Sequence, residues 1–330
     1  AIAGRNPQVL EDIKKSLQLD KVDILVGNIN SQESLRAITA QTKVVLTTAG
    51  PYAKIGMPMV EACVEGGAHY CDLTGEAPFI RDAIDKFHDK AQEKNLKIVN
   101  CCGFDCIPCD LGVQMIIEEA ESRGCTNGLQ EIRFLADKME GGASGGTLAS
   151  AMNIFETLSF SQLLALLNPF YLNPIDKHTK VVKLPHNDKE LYKQCCDNNV
   201  MGYDGITKQY TIPYLMQAID LRLVNRSNAL SNYRYGHTMI FSERMIVPNL
   251  FIAFFGSIAL SIAQLFLIFP ISRYFIKPFL PKPGEGPSEH LLNHGYFTAK
   301  LWGKGLNTST GKEIVIEGRI QAYHGDPGYR

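Results

Sequence analysis

Short apolar runs and helical repeats alternate along the first 125 residues. The runs at 1–4, 22–26, 44–47, 69–73 and 97–101 have the length of strands, and 44–47 has the β-branched apolar content of a buried parallel one. Between them lie segments of helical spacing. Residues 7–17 place Val9, Leu10, Ile13 and Leu17 on one face, with Pro7 suited to a first turn. Residues 31–40 open on a serine cap, with Glu33 in the first turn. Residues 57–65 put Met57, Val60 and Val64 on one face, and 78–94 and 108–123 read as further helices, the last stopped by Gly124. Regular alternation of strand and helix predicts an α/β fold with a doubly wound parallel sheet.

After Gly124 the pattern changes. A strand is expected at 131–136, a glycine loop at 141–146 and one long helix over 147–167. Residues 168–210 show no clear period, and strand-like runs return at 233–241, 296–302 and 313–320. We therefore expect a first domain at 1–125 and a second, α+β domain at 126–330. The second contains the most uniform stretch of the chain, the apolar segment 245–272. No residue between Arg244 and Arg273 is charged, Pro248 and Pro270 bracket the core, and Arg273, Lys277 and Lys282 follow it. The core is about 21 residues, long enough to cross a bilayer, and Tyr274 suits an interface. A crossing would split the domain's sheet, so the expectation is a monotopic helix or hairpin in one leaflet. An endoplasmic reticulum or lipid-droplet surface, on the cytosolic face, would suit it. The other reading is a buried helix of the second domain.

Composition narrows the classes. Apolar content of 45% with a net charge of −1 describes a packed globular chain and gives no footprint for nucleic acid. Nine cysteines in 330 residues do not make a small disulfide scaffold, and free thiols in a reducing compartment fit better. Cys101, Cys102, Cys106 and Cys109 invite a zinc reading. One end of that cluster closes a strand and the other starts a helix, so the sulfurs need not converge, and no metal site is expected.

Ligands of open parallel sheets sit beyond the carboxyl ends of the strands. The loops of interest are therefore 47–56, 72–76 and 103–105. Candidate catalytic groups are Tyr52, as a proton donor or a packing ring, and the carboxylates of Asp72 and Asp105. Thr74 and Glu76 also suit capping of the helix that Pro78 opens. His69 reads as a core or edge histidine. The glycine loop ahead of the long helix offers Ser144 and Thr147 as hydroxyl contacts.

Four blocks carry a family resemblance: TTAGPYAKIGMPMVEAC, HYCDLTGE, VNCCGFDCIPCDLG and GGASGGTLAS. In order and spacing, over roughly residues 1–150, they resemble the saccharopine dehydrogenase-like oxidoreductases, nearer to the trans-acting enoyl reductases than to the lysine-pathway enzyme. The resemblance implies a Rossmann-like dinucleotide-binding domain whose first strand and glycine-rich turn precede Ala1. That strand would be missing here, as in a truncated fragment, leaving strands 1–4 and 44–47 without their shared neighbour. It further implies that Arg5 and Asn6 follow the second strand of the nucleotide fold. With no acid there, a basic residue suits the 2′-phosphate, so NADP(H) is the expected cofactor. Thr48, Ala49, Gly50, Pro51, Tyr52, Thr74, Gly103 and Phe104 are the other implied cofactor contacts. The resemblance implies reduction of an imine or enoyl group on a small-molecule or lipid-like substrate; the apolar segment 245–272 adds the expectation of a membrane or lipid-droplet surface, and a homodimer is left open. The alternative is a non-catalytic surface protein that retains the dehydrogenase fold.

Overall fold

The computed structural model describes all residues except 143–144, 177–178, 180, 277, 279–284 and 330, so Ser144, Lys277 and Lys282 lie outside the described residues. The chain divides into two compact units, Ala1–Cys102 and Gly103–Arg330.

The first unit runs β1 (Ile2–Gly4), α1 (Pro7–Ser16), β2 (Ile24–Val26), α2 (Gln32–Thr39), β3 (Val44–Thr47), α3 (Tyr52–Ile55), α4 (Met57–Gly66), β4 (His69–Asp72), α5 (Ala77–Glu93) and β5 (Ile98–Val99). Asn6 caps α1, its side-chain oxygen accepting from the N–H groups of Gln8 and Val9 at 3.0 and 3.4 Å. Ser31 caps α2 as its sequence position predicts. All strand pairs are parallel. They form two ladders, β1–β2 and β3–β4–β5, with β4 central in the second. Among the described residues, β1 and β3 share no neighbouring strand. On β3 exposure alternates along the strand, with Leu46 63% exposed. Helices α2 and α4 pack together, and the buried Thr39 hydroxyl donates to the Ala62 carbonyl at 3.2 Å.

The second unit runs α6 (Ile107–Ser122), β6 (Leu129–Glu140), α7 (Gly145–Thr157), α8 (Phe160–Ala165), α9 (Lys189–Gln194), β7 (Gly202–Asp204), β8 (Gln209–Pro213), α10 (Gln217–Leu230), β9 (Ile240–Val247), α11 (Leu250–Ile268), α12 (Pro270–Ile276), α13 (Glu289–His294), β10 (Tyr296–Leu306) and β11 (Glu313–Ala322). Its sheet has six strands in the order β11-β10-β6-β9-β8-β7, antiparallel except for the β6–β9 pair. Helix α6 lies on β10 and β11, and α10 on β9 and α6, around a core that includes Val113, Ile117, Ile132, Phe134, Leu221 and Phe297. Gly112 allows the close approach of α6: a Cβ there would stand 2.8 Å from a Leu301 methyl and 2.9 Å from one of Ile320. Helix α6 thus groups with the second unit, whereas the sequence pattern carried the first domain on to 125.

Three expected elements differ. The long helix at 147–167 is two helices, because Ser159 and Gln162 form a reciprocal capping box that starts α8. The strand expected at 233–241 begins only at Ile240, since Asn232 and Tyr233 adopt φ of 56° and 58° and turn the chain after α10. Helix α10 itself escaped notice because Asp220, Arg222, Asn225 and Asn228 are buried polar residues that blur its apolar period. The apolar segment also starts later than expected. Residues 245–247 finish β9, and α11 opens at Leu250 under an Asn249 cap. Ala253 is the buried residue of this 19-residue helix. Its apolar neighbours face outward, with Phe251 74% exposed, which excludes the core-helix reading.

Gly128 adopts φ of 77°, and a Cβ there would overlap the backbone of Gly236. Gly67, at the end of α4, has a similar φ of 79° but open space beyond its Cα. Gly67→Ala should therefore cost only the left-handed penalty, about 1–2 kcal/mol. Gly128→Ala should cost clearly more, as read from paired urea denaturation midpoints.

Candidate active site

In the first unit, the carboxyl ends of β3, β4 and β5 carry a connected polar network. Its centre is Asp72, 0% exposed at the last position of β4. Its carboxylate accepts from the Tyr70 hydroxyl at 2.8 Å, the Asn100 amide at 2.7 Å, the Thr74 N–H at 3.1 Å and the Cys101 N–H at 3.2 Å. Burial pushes the Asp72 carboxyl up from its ordinary value, and these donors oppose the rise. Two loops close around this group: the turn after β4, and the turn after β5, where the Cys102 N–H donates to the Asp72 carbonyl at 2.7 Å. Cys101 sits in that second turn with φ of 61°, a left-handed conformation that a cysteine rarely adopts.

Tyr52 is buried at the start of α3. Its hydroxyl donates to the Thr47 carbonyl at 3.0 Å and accepts from the Leu73 N–H at 3.3 Å, tying the end of β3 to the turn after β4. Burial pushes its phenol up to about 12. Glu76 is buried too. Rather than capping the helix that follows it, its carboxylate accepts from the N–H groups of Tyr52 and Ala53, at 2.8 and 2.9 Å, and so caps α3. Thr74 keeps the expected local role, its hydroxyl accepting from the Glu76 N–H at 3.0 Å. Between these anchors Thr48, Ala49 and Gly50 are exposed, a loop of small residues at a strand end. Arg5 and Asn6 are exposed beyond β1, Asn6 engaged as the α1 cap. His69 accepts from the Lys97 N–H at 3.0 Å, a structural edge contact.

The second unit holds the remaining candidates. Gly103 accepts from Ile107 N–H at 3.0 Å and helps to start α6. Phe104 packs edge-on against Phe297, centroids 4.9 Å apart. Asp105 is exposed in the turn before α6. Of the cysteines, Cys109 is grouped with the carboxylates of Asp220 and Glu243. The sequence reading missed that grouping, and it missed Glu76 as the α3 cap, Tyr70 and Asn100. Period-two alternation in β9 carries a signal for Glu243, since it shares a face with buried Phe241 and Val247. Nothing local marks Glu76, whose partners lie over twenty residues away.

Glu76→Gln replaces one acceptor with a donor facing the α3 N-terminus. It should cost about 1.5–3 kcal/mol, the worth of hydrogen bonds to a charged group. Chemical denaturation would read the loss, and amide exchange should quicken at Tyr52 and Ala53.

Residues 1–99 match the family described as the saccharopine dehydrogenase NADP binding domain. A Mycobacterium tuberculosis protein described provisionally as a trans-acting enoyl reductase is 31% identical over 342 residues, covering 100% of this chain and 78% of its own length. The trans-acting enoyl reductase of Mycobacterium ulcerans is 30% identical over 326 residues, covering 96% of this chain and 76% of that protein. The apo saccharopine dehydrogenase (L-Glu forming) from Saccharomyces cerevisiae aligns at 10% identity over 99% of this chain and 80% of that one. Its TM-score of 0.42 is too low to carry an argument.

Proposed function

This chain belongs to the saccharopine dehydrogenase family, and on that premise we propose that the protein is an NADP(H)-dependent reductase of an enoyl or imine group on a lipid-like substrate. The observation that carries this reading is the small-residue loop Thr48–Pro51, exposed at Thr48, Ala49 and Gly50 and held by buried anchors at a strand end of the matched NADP binding domain. When bound, the reduced nicotinamide supplies the hydride.

The residues present fit such a cofactor in two respects. Arg5 offers an exposed guanidinium beyond β1, with no acid beside it, which suits a 2′-phosphate over a free ribose hydroxyl. Thr48, Ala49, Gly50 and Pro51 present backbone with little side-chain bulk, so a flat ring and its ribose can come close. Tyr52 and Asp72 act here as positioning residues, because their polar atoms are engaged in holding the loops. Asp105 belongs to the second unit, where desolvation pushes its carboxyl up from the ordinary value, and it is the acid we assign to relaying a proton. Thr74, Gly103 and Phe104 support the loops that bear these groups.

The enoyl reading ranks above the imine because the relatives matched along their length are trans-acting enoyl reductases. A lipid surface is supported by α11 and by the sheet around it. Strand β9 runs parallel to β6 and β10 antiparallel, with Ala136 opposite Met245 and Glu140 opposite Tyr296. The chain therefore leaves and re-enters the sheet at one end. A crossing by α11 would need a second crossing before Tyr296, and that stretch carries Arg273, Lys277, Lys282, Glu285 and Glu289. Both constraints favour α11 lying in one leaflet, as at the cytosolic face of the endoplasmic reticulum or on a lipid droplet. The exposed helix also suits the second reading, a surface protein that keeps the fold without turnover.

Titration of the full-length protein with NADPH and NADH tests the first reading. Arg5→Asp should weaken NADPH at least about tenfold, the equivalent of one charge-assisted hydrogen bond, and leave NADH unchanged. An unaltered NADPH/NADH ratio removes Arg5 from the assignment, and failure of the wild-type protein to bind either cofactor favours the surface-protein reading. For the helix, Phe251→Glu with Phe255→Glu changes two exposed side chains and should abolish flotation with phosphatidylcholine vesicles. Undiminished flotation would count against the anchor.

A further inference from the structure

Three reactive side chains meet in the core of the second unit and have no part in the reaction proposed above. Cys109 comes from α6, Asp220 from α10 and Glu243 from β9. They are 1%, 0% and 1% exposed. One ligating atom of each lies within 4.8 Å of the other two. Among the described residues, no N–H or O–H donor outside the cluster reaches any of the four carboxylate oxygens; Asp220 faces Glu243 and the Cys106 thiol. The surrounding walls include the apolar Val113, Leu221 and Phe241. The other titratable groups acting on the cluster are Cys106, Asp110 and Tyr214, none of them cationic. Two carboxylates stripped of water without a positive partner are among the costliest arrangements a core can hold.

We propose that Cys109, Asp220 and Glu243 form a structural site for one divalent transition-metal ion, with zinc the best match. Each carboxylate would then have the cation it lacks. A proton shared by the two carboxyls would neutralise one of them but gives the converging thiol no role, whereas a metal ion engages all three groups. The thiol also argues against magnesium and calcium, which take oxygen ligands, whereas zinc accepts thiolate and carboxylate together. Zinc at its usual distance of about 2.0–2.3 Å would draw the three atoms somewhat closer than their present separation. Binding releases the thiol proton to solvent. A fourth tetrahedral position remains, and Cys106, which acts on Asp220, is the further donor we assign to it. Burial on all sides makes this a closed site that pins α6 and α10 to β9, not a catalytic one.

The test is a metal titration of the full-length protein after EDTA treatment and dialysis. One equivalent of Co²⁺ should bind with a thiolate charge-transfer band in the near ultraviolet, and Zn²⁺ should displace it. Cys109→Ser should remove the band, and Glu243→Gln should weaken zinc at least about tenfold. Cys71→Ser, which changes a thiol of the first unit, should leave both unchanged. If the core variants do not fold, the wild-type protein carries the test alone: zinc should raise its Tm with concentration, and EDTA should lower it. Three results would each overturn the site: no stoichiometric metal binding by the wild-type protein, binding that survives both substitutions, or a carboxylic-acid infrared band that zinc leaves in place. The last of these would assign Asp220 and Glu243 a shared proton instead. None of these readouts depends on reductase activity, so the two proposals stand or fall separately.

Discussion

The strand-end architecture of the first unit depends on one buried carboxylate. Asp72 is tolerated out of water because four donors converge on it, two from side chains and two from backbone. Those donors belong to β4, to the turn that follows it and to the turn after β5, so satisfying one charge fixes three pieces of chain. The left-handed Cys101 is part of the cost, held in place by its N–H on the carboxylate. Glu76 repeats the device one loop away, using the backbone of α3 as its donor. The exposed loop between these anchors gains its fixed shape from groups that never reach solvent. A ligand that docks there meets a surface already ordered.

Much of this unit was legible from spacing alone. The β-branched run at Val44 and the Met57, Val60, Val64 stripe predict β3 and α4, and the structure has both. The helix starts at Ser31 and Asn6 follow from side chains acting on their own next turn. Partnerships across distance were not legible. That Glu76 would cap α3 instead of the helix beginning beside it depends on where two loops meet, and no local pattern encodes that. The same limit applies to Asp72: its position at a strand end marked it for chemistry, while its four donors were invisible until Asn100 and Cys101 were brought alongside.

In the second unit, misreadings cluster where polar residues are buried. Helix α10 carries Asp220, Arg222, Asn225 and Asn228 inward, so a search for apolar stripes passes over it. Arg222 is satisfied by Asp197 and the Leu166 carbonyl, and Asn228 by the Gly236 carbonyl, all outside the helix. The opposite error threatened at α11, whose apolar residues suggest burial and are instead mostly exposed. Hydrophobicity and interior position separate in both helices, in opposite directions.

Strand β6 has a consequence for how the chain must assemble. It is made early, yet its two neighbours in the sheet are β9 and β10, with Glu131 opposite both Ile240 and Lys304. Both edges of β6 stay unpaired until most of the polypeptide exists, and loop closure over such separations is slow. Helix α11 is synthesised between those two partners, so the most apolar segment of the protein emerges while its own sheet is still open. The order of synthesis therefore exposes an unpaired strand and an oily helix together, and the half-made chain is the species most in need of protection from aggregation.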